Sequence, residues 1–101
     1  MLFANVVFGL PIDGPFDYAI PPFLKDKAKR GMRVWVNFHN KKMLGYIVGI
    51  SKTSKVDKVK PVQDIVDDKP ILTDSLLKLT KNLADYYACS WGEAIEAAIP
   101  E

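Results

Sequence analysis

The chain has 101 residues, about half of them apolar, and a net charge of +2, which fits one domain, residues 1–101, with a single modest core. One cysteine, Cys89, excludes an internal disulfide, and no Cys/His spacing resembles a metal site, so no metal and no cofactor are expected. No apolar run approaches the roughly 20 residues of a membrane span, so we expect a soluble protein in the reducing cytoplasm.

The first two-thirds of the chain predict β-structure. The segments predicted as strands are rich in Val and Phe or alternate apolar with polar residues, and Gly, Pro or charged turns separate them. The predicted strands are Phe3–Phe8, Phe16–Ile20, Arg33–Phe38, Leu44–Ile50 and Val59–Val66. The predicted connections include a basic segment, Phe23–Arg30, a polar hairpin loop, His39–Lys42, and a charged loop, Lys52–Lys58.

Two helices are predicted to follow. Thr73 or Asp74 can cap the first helix, and Ser90 begins a capping-box pattern that opens a second helix through Ala98, closed by Pro100. The first helix carries an apolar stripe, Leu76, Leu79, Leu83 and Tyr86. The predicted fold class is α+β, a small and mostly antiparallel β-sheet or barrel-like unit followed by two C-terminal helices.

Charge is distributed unevenly between the two predicted halves. Residues 1–60 hold 11 Lys/Arg and 4 Asp/Glu, a balance of +7, whereas residues 61–101 hold 3 Lys/Arg and 8 Asp/Glu, a balance of −5. Such asymmetry indicates that the first half meets a polyanion, although two ordinary solvated surfaces would give the same numbers.

Catalytic patterns are missing from the sequence. It has no glycine-rich phosphate loop with its lysine, no Ser/His/Asp set and no histidine pair for a metal. A solvated turn explains Asp64, Asp67 and Asp68 more simply than paired catalytic carboxylates, and Cys89 is more typical of a small packing residue than of a nucleophile. We therefore expect no enzymatic activity from this domain alone.

A binding role has better support, because aromatic and basic residues alternate along the predicted strands. The aromatic residues are Phe16, Tyr18, Trp35 and Phe38, and the basic residues are Arg33, Lys41, Lys42, Lys58 and Lys60. Small sheet domains bind single strands in this way, with lysines along the phosphates and aromatic rings stacked on bases. The alternative is that the rings belong to the core. Strand periodicity places Phe16 and Tyr18 on one face and Asp17 on the other.

Several segments together resemble the start of the PriA family of replication-restart helicases, also called primosomal protein N′. Their order and spacing match over nearly the whole chain. The matching segments are Phe16–Pro21, Gly31–Phe38, Leu44–Val48, Val59–Val62, Leu83–Tyr87 and Ala98–Pro100.

The resemblance implies a DNA-binding domain that recognises the 3′-terminal nucleotide of a nascent leading strand at a stalled replication fork. It implies that this chain is an N-terminal piece of a bacterial, ATP-dependent 3′-to-5′ helicase that serves primosome assembly and carries a zinc-binding insertion further along. The implied partners are DNA with a free 3′-hydroxyl, later domains of the same helicase and other primosome proteins. On matching positions, the implied pocket consists of Phe16, Asp17, Tyr18, Phe38, His39 and Lys60.

The chemistry of these residues suits the end of a strand. Asp17 is an acceptor for a terminal hydroxyl or a base amino group and would repel a 3′-phosphate, while Lys60 can reach a phosphate. His39 stands where the family commonly has glycine and Asn37 where it has proline, so the imidazole could stack on the base or the loop contact could be altered.

Two alternative functions remain open from the sequence. One is a protein-interaction module that docks through the acidic helical half. The other is a general single-strand binder with no preference for an end.

Overall fold

Five strands fill the first two-thirds of the chain and two helices follow them, which confirms the α+β class. The computed structural model describes residues 1–99, so Pro100, predicted to close the second helix, lies outside the described residues. The strands are β1 (Phe3–Val7), β2 (Phe16–Ala19), β3 (Arg33–Phe38), β4 (Lys41–Ser51) and β5 (Asp64–Ile65). The helices are α1 (Asp74–Tyr87) and α2 (Trp91–Ala98), and a short 3-10 turn, Pro22–Leu24, overlaps the start of the predicted basic connector.

The strands form one antiparallel sheet in the order β2-β1-β4-β3-β5. The sheet is not closed into a barrel, although an isolated parallel bridge joins Ala19 of β2 to Pro61, ahead of β5. The sheet curls, so that β2 and β3 touch although they are not neighbours in it. At this contact the Tyr18 hydroxyl donates to the Asn37 carbonyl oxygen at 2.9 Å. The curl leaves a gap between these two strands, beside the turn that follows β3.

The last predicted strand is much shorter than expected. Val59–Val66 was predicted as a strand, but regular β-structure is limited to Asp64–Ile65. The segment changes partner along its length, because the Val62 N–H donates to β2 whereas the Gln63 N–H donates to β3. Since Pro61 has no N–H to contribute, a continuous ladder along one neighbour does not form.

The β3–β4 hairpin is tighter than predicted. A four-residue polar loop, His39–Lys42, was expected, but β4 already begins at Lys41, and His39 and Asn40 alone connect the strands. Both residues have positive φ, 51° and 65°, as the commonest two-residue hairpin turn requires. This turn lacks the Asn-Gly or Asp-Gly pair typical of two-residue hairpins, which is why polarity alone suggested a longer loop.

Apolar side chains form two clusters, one on each face of the sheet, rather than the single core expected from the chain length. The cluster enclosed by the curl includes Val6, Phe8, Tyr18, Val34, Val36 and Ile47. The cluster between the sheet and the helices contains Val7, Tyr46, Val48, Leu72, Leu77 and Ile95. Because β1 contributes to both clusters, its sequence is apolar almost throughout instead of alternating.

Both helices begin at predicted caps. The Thr73 hydroxyl accepts the Leu76 N–H at 3.1 Å, which selects Thr73 over Asp74 as the cap of α1. At α2 the predicted capping box is complete, because the Ser90 hydroxyl accepts the Glu93 N–H and the Glu93 carboxylate accepts the Ser90 N–H. These bonds satisfy N–H groups that the first turn of each helix leaves without a partner.

Helix α1 buries a different face from its predicted apolar stripe. Three stripe residues are exposed by 52%, 36% and 80%: Leu79, Leu83 and Tyr86. The buried residues of α1 are Leu77, Thr80 and Ala84. Thr80 tolerates burial because its hydroxyl donates to the Leu76 carbonyl oxygen at 2.9 Å and accepts from the Trp91 indole at 3.1 Å. The small side chains of Thr80 and Ala84 face the protein, and the larger apolar side chains face outward.

Helix α2 sits directly on the end of β1. A Cβ atom at Gly92 would overlap the backbone of Phe8, so the missing side chain permits the contact. Nearby, the Ser90 hydroxyl donates to the Leu10 carbonyl oxygen at 2.7 Å. The helical half is thereby fixed over one face of the sheet, and the gap between β2 and β3 stays open.

Candidate nucleic-acid interface

An open cleft of about 550 Å³ occupies the gap between the edge of β2 and the end of β3; we call it the β2–β3 cleft. Its lining includes all six residues that the sequence pointed to: Phe16, Asp17, Tyr18, Phe38, His39 and Lys60. The other lining residues are Pro15, Asn37, Asn40, Val56 and Lys58. Residues from three separate parts of the chain therefore meet at this cleft.

The apolar side of the cleft is a packed aromatic cluster. The rings of Phe16 and Phe38 lie 5.1 Å apart between centroids, and the Phe8 ring lies 4.7 Å from Phe38. Phe8 is buried, whereas Phe16 and Phe38 are half-buried and border the cleft. Core packing thus fixes the two rings, and their remaining exposed surface can receive a planar apolar group.

His39 lies at the rim of the cleft. Its backbone is held at φ 51° in the two-residue turn, a conformation that glycine adopts without strain. The imidazole is exposed and meets the Phe38 ring edge-on, with 4.3 Å between centroids. The ring therefore extends the aromatic surface of the cleft outward.

Asp17 is held by two side chains from other elements. The Asn5 amide donates to one carboxylate oxygen at 2.9 Å, and the Ser54 hydroxyl donates to the other at 2.7 Å. A carboxylate has about four lone-pair sites, so further acceptor capacity remains. The carboxylate projects to the face opposite Phe16 and Tyr18, as strand periodicity predicts.

The backbone of β2 also borders the cleft. The N–H and carbonyl of Ala19 bond to Lys60 and Val62, on the side of β2 away from β1. Because alternate residues of a strand direct their peptide groups to the same side, the N–H and carbonyl of Asp17 face that edge as well. A donor and an acceptor of the main chain are thus available beside the carboxylate.

Lysines supply positive charge on the other side. The Lys60 ammonium donates to the Asn37 side-chain oxygen at 3.0 Å, and Asn37 also receives the Asn40 N–H at 3.2 Å. Lys58 and Lys60 are exposed, and within residues 1–99 neither forms an ion pair. Both charges are therefore free to meet an anionic ligand. Burial raises the pKa of the Tyr18 phenol, which stays a neutral hydrogen-bond donor.

The remaining aromatic and basic candidates lie outside the cleft. The Lys42 ammonium sits 5.0 Å from the centre of the Trp35 ring. Arg33 pairs with Asp67 at 2.7 Å, and this hydrogen bond raises the pKa of the guanidinium further. Burial alone would raise the pKa of the Asp67 carboxyl, but the hydrogen bonds from Arg33 outweigh it and hold that pKa below its usual range. The aromatic and basic residues that alternate along the sequence thus separate into those that line the cleft and those that form contacts elsewhere on the sheet.

Two sequence-based interpretations are corrected by these positions. Asp67 does not belong to a solvated turn, because its side chain is 7% exposed and is held by Arg33. Cys89 is exposed rather than a packing residue.

Residues that hold the cleft side chains in place were missed by the sequence reasoning. Asn5 did carry a signal, since it is the one polar side chain in an otherwise apolar strand segment. Ser54 and Asn37 carried none, because their roles depend on contacts between distant parts of the chain. The sequence marked Asn37 only as a replacement for the proline common in the family. In the structure, its side chain connects the hairpin to Lys60.

The chemical groups that line the cleft suit a nucleotide. Aromatic surface can stack on a base, lysines can neutralise phosphate, and a carboxylate with neighbouring peptide groups can accept from or donate to sugar and base. Within residues 1–99, no group of three or more His, Cys, Asp or Glu side chains is placed to hold a metal ion. The same residues include no helix of the length and hydropathy needed to cross a membrane.

Comparisons with known proteins identify similar sequences. Residues 5–100 match the PriA family described as "3'DNA-binding domain (3'BD)". The replication restart protein PriA of Bacillus subtilis is 37% identical over 99% of this chain, which covers 13% of that relative. The probable replication restart protein PriA of Mycobacterium tuberculosis is 29% identical over 88% of the chain, and PriA of Treponema pallidum is 25% identical over 95%. The chain spans 13%, 14% and 16% of these three relatives.

Proposed function

The chain belongs to the PriA family of 3′ DNA-binding domains, and is thus a DNA-binding domain of the replication-restart type; from this premise we propose that it binds the terminal nucleotide of a strand with a free 3′-hydroxyl. The β2–β3 cleft is the proposed site. For a longer protein of the length of its relatives, the proposal extends to an ATP-dependent helicase with a zinc-binding insertion, which this domain brings to the 3′ end of a nascent strand at a stalled fork.

The observation that carries the proposal is the Asp17 carboxylate at the edge of an aromatic cleft. Asn5 and Ser54 fix the carboxylate in place at 2.9 and 2.7 Å. A fixed carboxylate can accept a hydrogen bond from a terminal hydroxyl, whereas a 3′-phosphate or a continuing phosphodiester would place negative charge against it. The site therefore favours the end of a strand over its interior.

The remaining groups supply affinity without base specificity. Phe16 and Phe38 offer a surface for any base, because every base has a π-face. Lys58 and Lys60 line the cleft, and we assign them to the phosphate on the entering side of the terminal nucleotide. His39 extends the aromatic surface, and we assign it to stacking rather than to hydrogen bonding.

The proposal is tested by comparing one oligonucleotide that ends in a 3′-hydroxyl with the same strand ending in a 3′-phosphate. We expect the hydroxyl form to bind about ten- to a hundredfold more tightly, as the loss of one charge-assisted hydrogen bond costs roughly 1.5–3 kcal/mol. Asp17→Ala should remove most of this preference. Lys60→Ala should instead weaken both ligands and reduce the salt dependence of binding.

Asp13→Ala provides the matched control, because Asp13 is an exposed carboxylate in the turn before β2 and does not line the cleft. It should leave the preference for the hydroxyl end unchanged. Equal affinity of the wild-type protein for both ends would contradict the proposal. A circular single strand that competes as well as a linear one would indicate a general single-strand binder.

A second candidate function is docking on a protein through the helical half. The exposed stripe on α1 favours it, because Leu79, Leu83 and Tyr86 present large apolar side chains to solvent on one helix face. The test measures binding of this domain, added as a separate chain, to a variant of the Bacillus subtilis relative from which the matching domain has been deleted. Binding that Leu83→Glu abolishes would support docking, and the absence of binding would exclude it for that partner.

A further inference from the structure

The loop that joins β4 to the segment before β5 is rich in lysine. Within residues 52–60, the lysine loop, Asp57 is the one carboxylate, against four exposed lysines: Lys52, Lys55, Lys58 and Lys60. In the described part of the chain none of the four forms an ion pair. The residues of the loop therefore carry a net charge of +3, and none of its lysines lies within ion-pair distance of a described carboxylate.

The lysine loop runs along β2 towards the cleft. It starts where β4 ends, opposite the beginning of β1. At its middle the Ser54 hydroxyl donates to Asp17 at 2.7 Å and accepts the Val56 N–H at 3.1 Å. Beyond that point Val56, Lys58 and Lys60 line the β2–β3 cleft. A hydrogen bond to a cleft residue thus anchors the loop, with Lys58 and Lys60 at the cleft and Lys52 at the other end of the loop.

A second concavity lies at the start of the lysine loop. This groove of about 540 Å³, the Ile20 groove, has mostly apolar walls and two lysines at its rim. It is lined by Met1, Leu2, Ile20, Pro22, Lys25 and Lys52. Ile20 comes directly after β2 and three residues after Asp17, a separation of about 10 Å along an extended chain.

We propose that the DNA-binding surface continues from the β2–β3 cleft along Lys58, Lys55 and Lys52 into the Ile20 groove, which receives nucleotides that precede the terminal one. This inference rests on the proposed function for the direction of the strand. Charge complementarity selects a single-stranded polyanion as the occupant, because unpaired lysines follow the path and apolar walls at its end can take a base. The separation of about 10 Å between Asp17 and Ile20 corresponds to about three phosphate spacings of a stacked strand.

The experiment measures the affinity of a dinucleotide, a tetranucleotide and an octanucleotide of one base, all ending in a 3′-hydroxyl. The proteins are the wild type, the double variant Lys52→Glu/Lys55→Glu and the control Lys69→Glu/Lys78→Glu. Both double variants make the same change of charge at exposed positions, but the control lies in the other half of the chain. Thermal unfolding checks that both variants fold.

In the wild type, affinity should rise from the dinucleotide to the octanucleotide. The Lys52/Lys55 variant should bind the octanucleotide about tenfold or more weakly than the wild type. The slope of the logarithm of its binding constant against the logarithm of salt concentration should decrease in magnitude by about 0.7 for each lost phosphate contact. Its dinucleotide affinity should stay within about twofold of the wild type, because the contacts in the cleft are kept. The control variant should retain most of the octanucleotide affinity.

Affinity that does not grow with strand length would overturn the inference, as would equal losses in the two double variants. A dinucleotide preference for the 3′-hydroxyl would then still support the proposed function. Conversely, a length- and lysine-dependent affinity without any preference for the hydroxyl end would support the extended surface and contradict the proposed function.

Discussion

Asp17 illustrates what a single position reveals in sequence and in structure. Strand alternation predicts that its carboxylate projects away from Phe16 and Tyr18, and the structure has this arrangement. The hydrogen bonds from Asn5 and Ser54 could not be predicted, since they join residues 12 and 37 positions away in the chain. Period and polarity identify candidate side chains, whereas their partners depend on how the sheet curls and where a long loop lies.

At the same scale, the pair between Arg33 and Asp67 should make stability depend on pH. Asp67→Asn should lower the free energy of unfolding at neutral pH by about 1–3 kcal/mol, because the nearly buried side chain at position 67 no longer accepts charge-assisted hydrogen bonds from Arg33. The folded protein holds the pKa of Asp67 below its ordinary value. The stabilisation is therefore complete above the unfolded pKa, about 3.9, and is lost as pH falls through the folded value.

Urea denaturation of the wild type and Asp67→Asn between neutral and acidic pH checks this expectation. The difference between the two proteins should shrink below about pH 4. Asp68→Asn is the control, because Asp68 is exposed and outside the pair. A difference that is constant down to the lowest pH would show that the charge of Asp67 is not what matters.

Among the elements, those with one strong local signal were predicted well. The bounds of β3 agree with its Val-rich alternation, and both helix starts agree with their caps. The segment Val59–Val66 was predicted wrongly because its hydrogen bonds change from β2 to β3, a feature of topology that composition does not encode. The buried face of α1 was also missed, since Leu77, Thr80 and Ala84 have the same spacing as the more apolar stripe.

The orientation of α1 gives a matched pair of substitutions within one helix. Leu77→Ala should destabilise the protein by about 2–5 kcal/mol, because Leu77 is 1% exposed in the cluster beneath the helices. Leu79→Ala should change stability by no more than about 0.5 kcal/mol, because Leu79 is 52% exposed. Chemical denaturation measures both values.

Similar losses at the two positions would mean that the apolar stripe is buried and that the orientation of α1 is wrong. A large loss at Leu79 alone would restore the face suggested by the sequence.

In the whole molecule, the uneven charge acquires a spatial meaning. The basic half forms four of the five strands, the β2–β3 cleft and the lysine loop, while the acidic half forms β5 and the helices over the outer face of the sheet. The sequence predicted this division into a sheet and two helices. It could not predict the cleft, because the gap between β2 and β3 arises from an open sheet whose order, β2-β1-β4-β3-β5, is set by long-range pairing.

The division also separates the tasks of the two halves. The helices pack on one face of the sheet through Gly92 and Leu77, so they support the sheet and do not cover the cleft. DNA contacts can then be altered on the sheet half without disturbing the helices, and an apolar partner can meet α1 without displacing DNA. Membership of the PriA family accounts for DNA binding, and the geometry of the cleft supports the finer proposal of end recognition.

The most direct test of end recognition is a crystal structure of the domain with a short oligonucleotide that ends in a 3′-hydroxyl. The proposal predicts the terminal base against Phe16 and Phe38, with the terminal sugar hydroxyl within hydrogen-bonding distance of Asp17. An internal nucleotide in the β2–β3 cleft, or a terminal sugar that points away from Asp17, would contradict it.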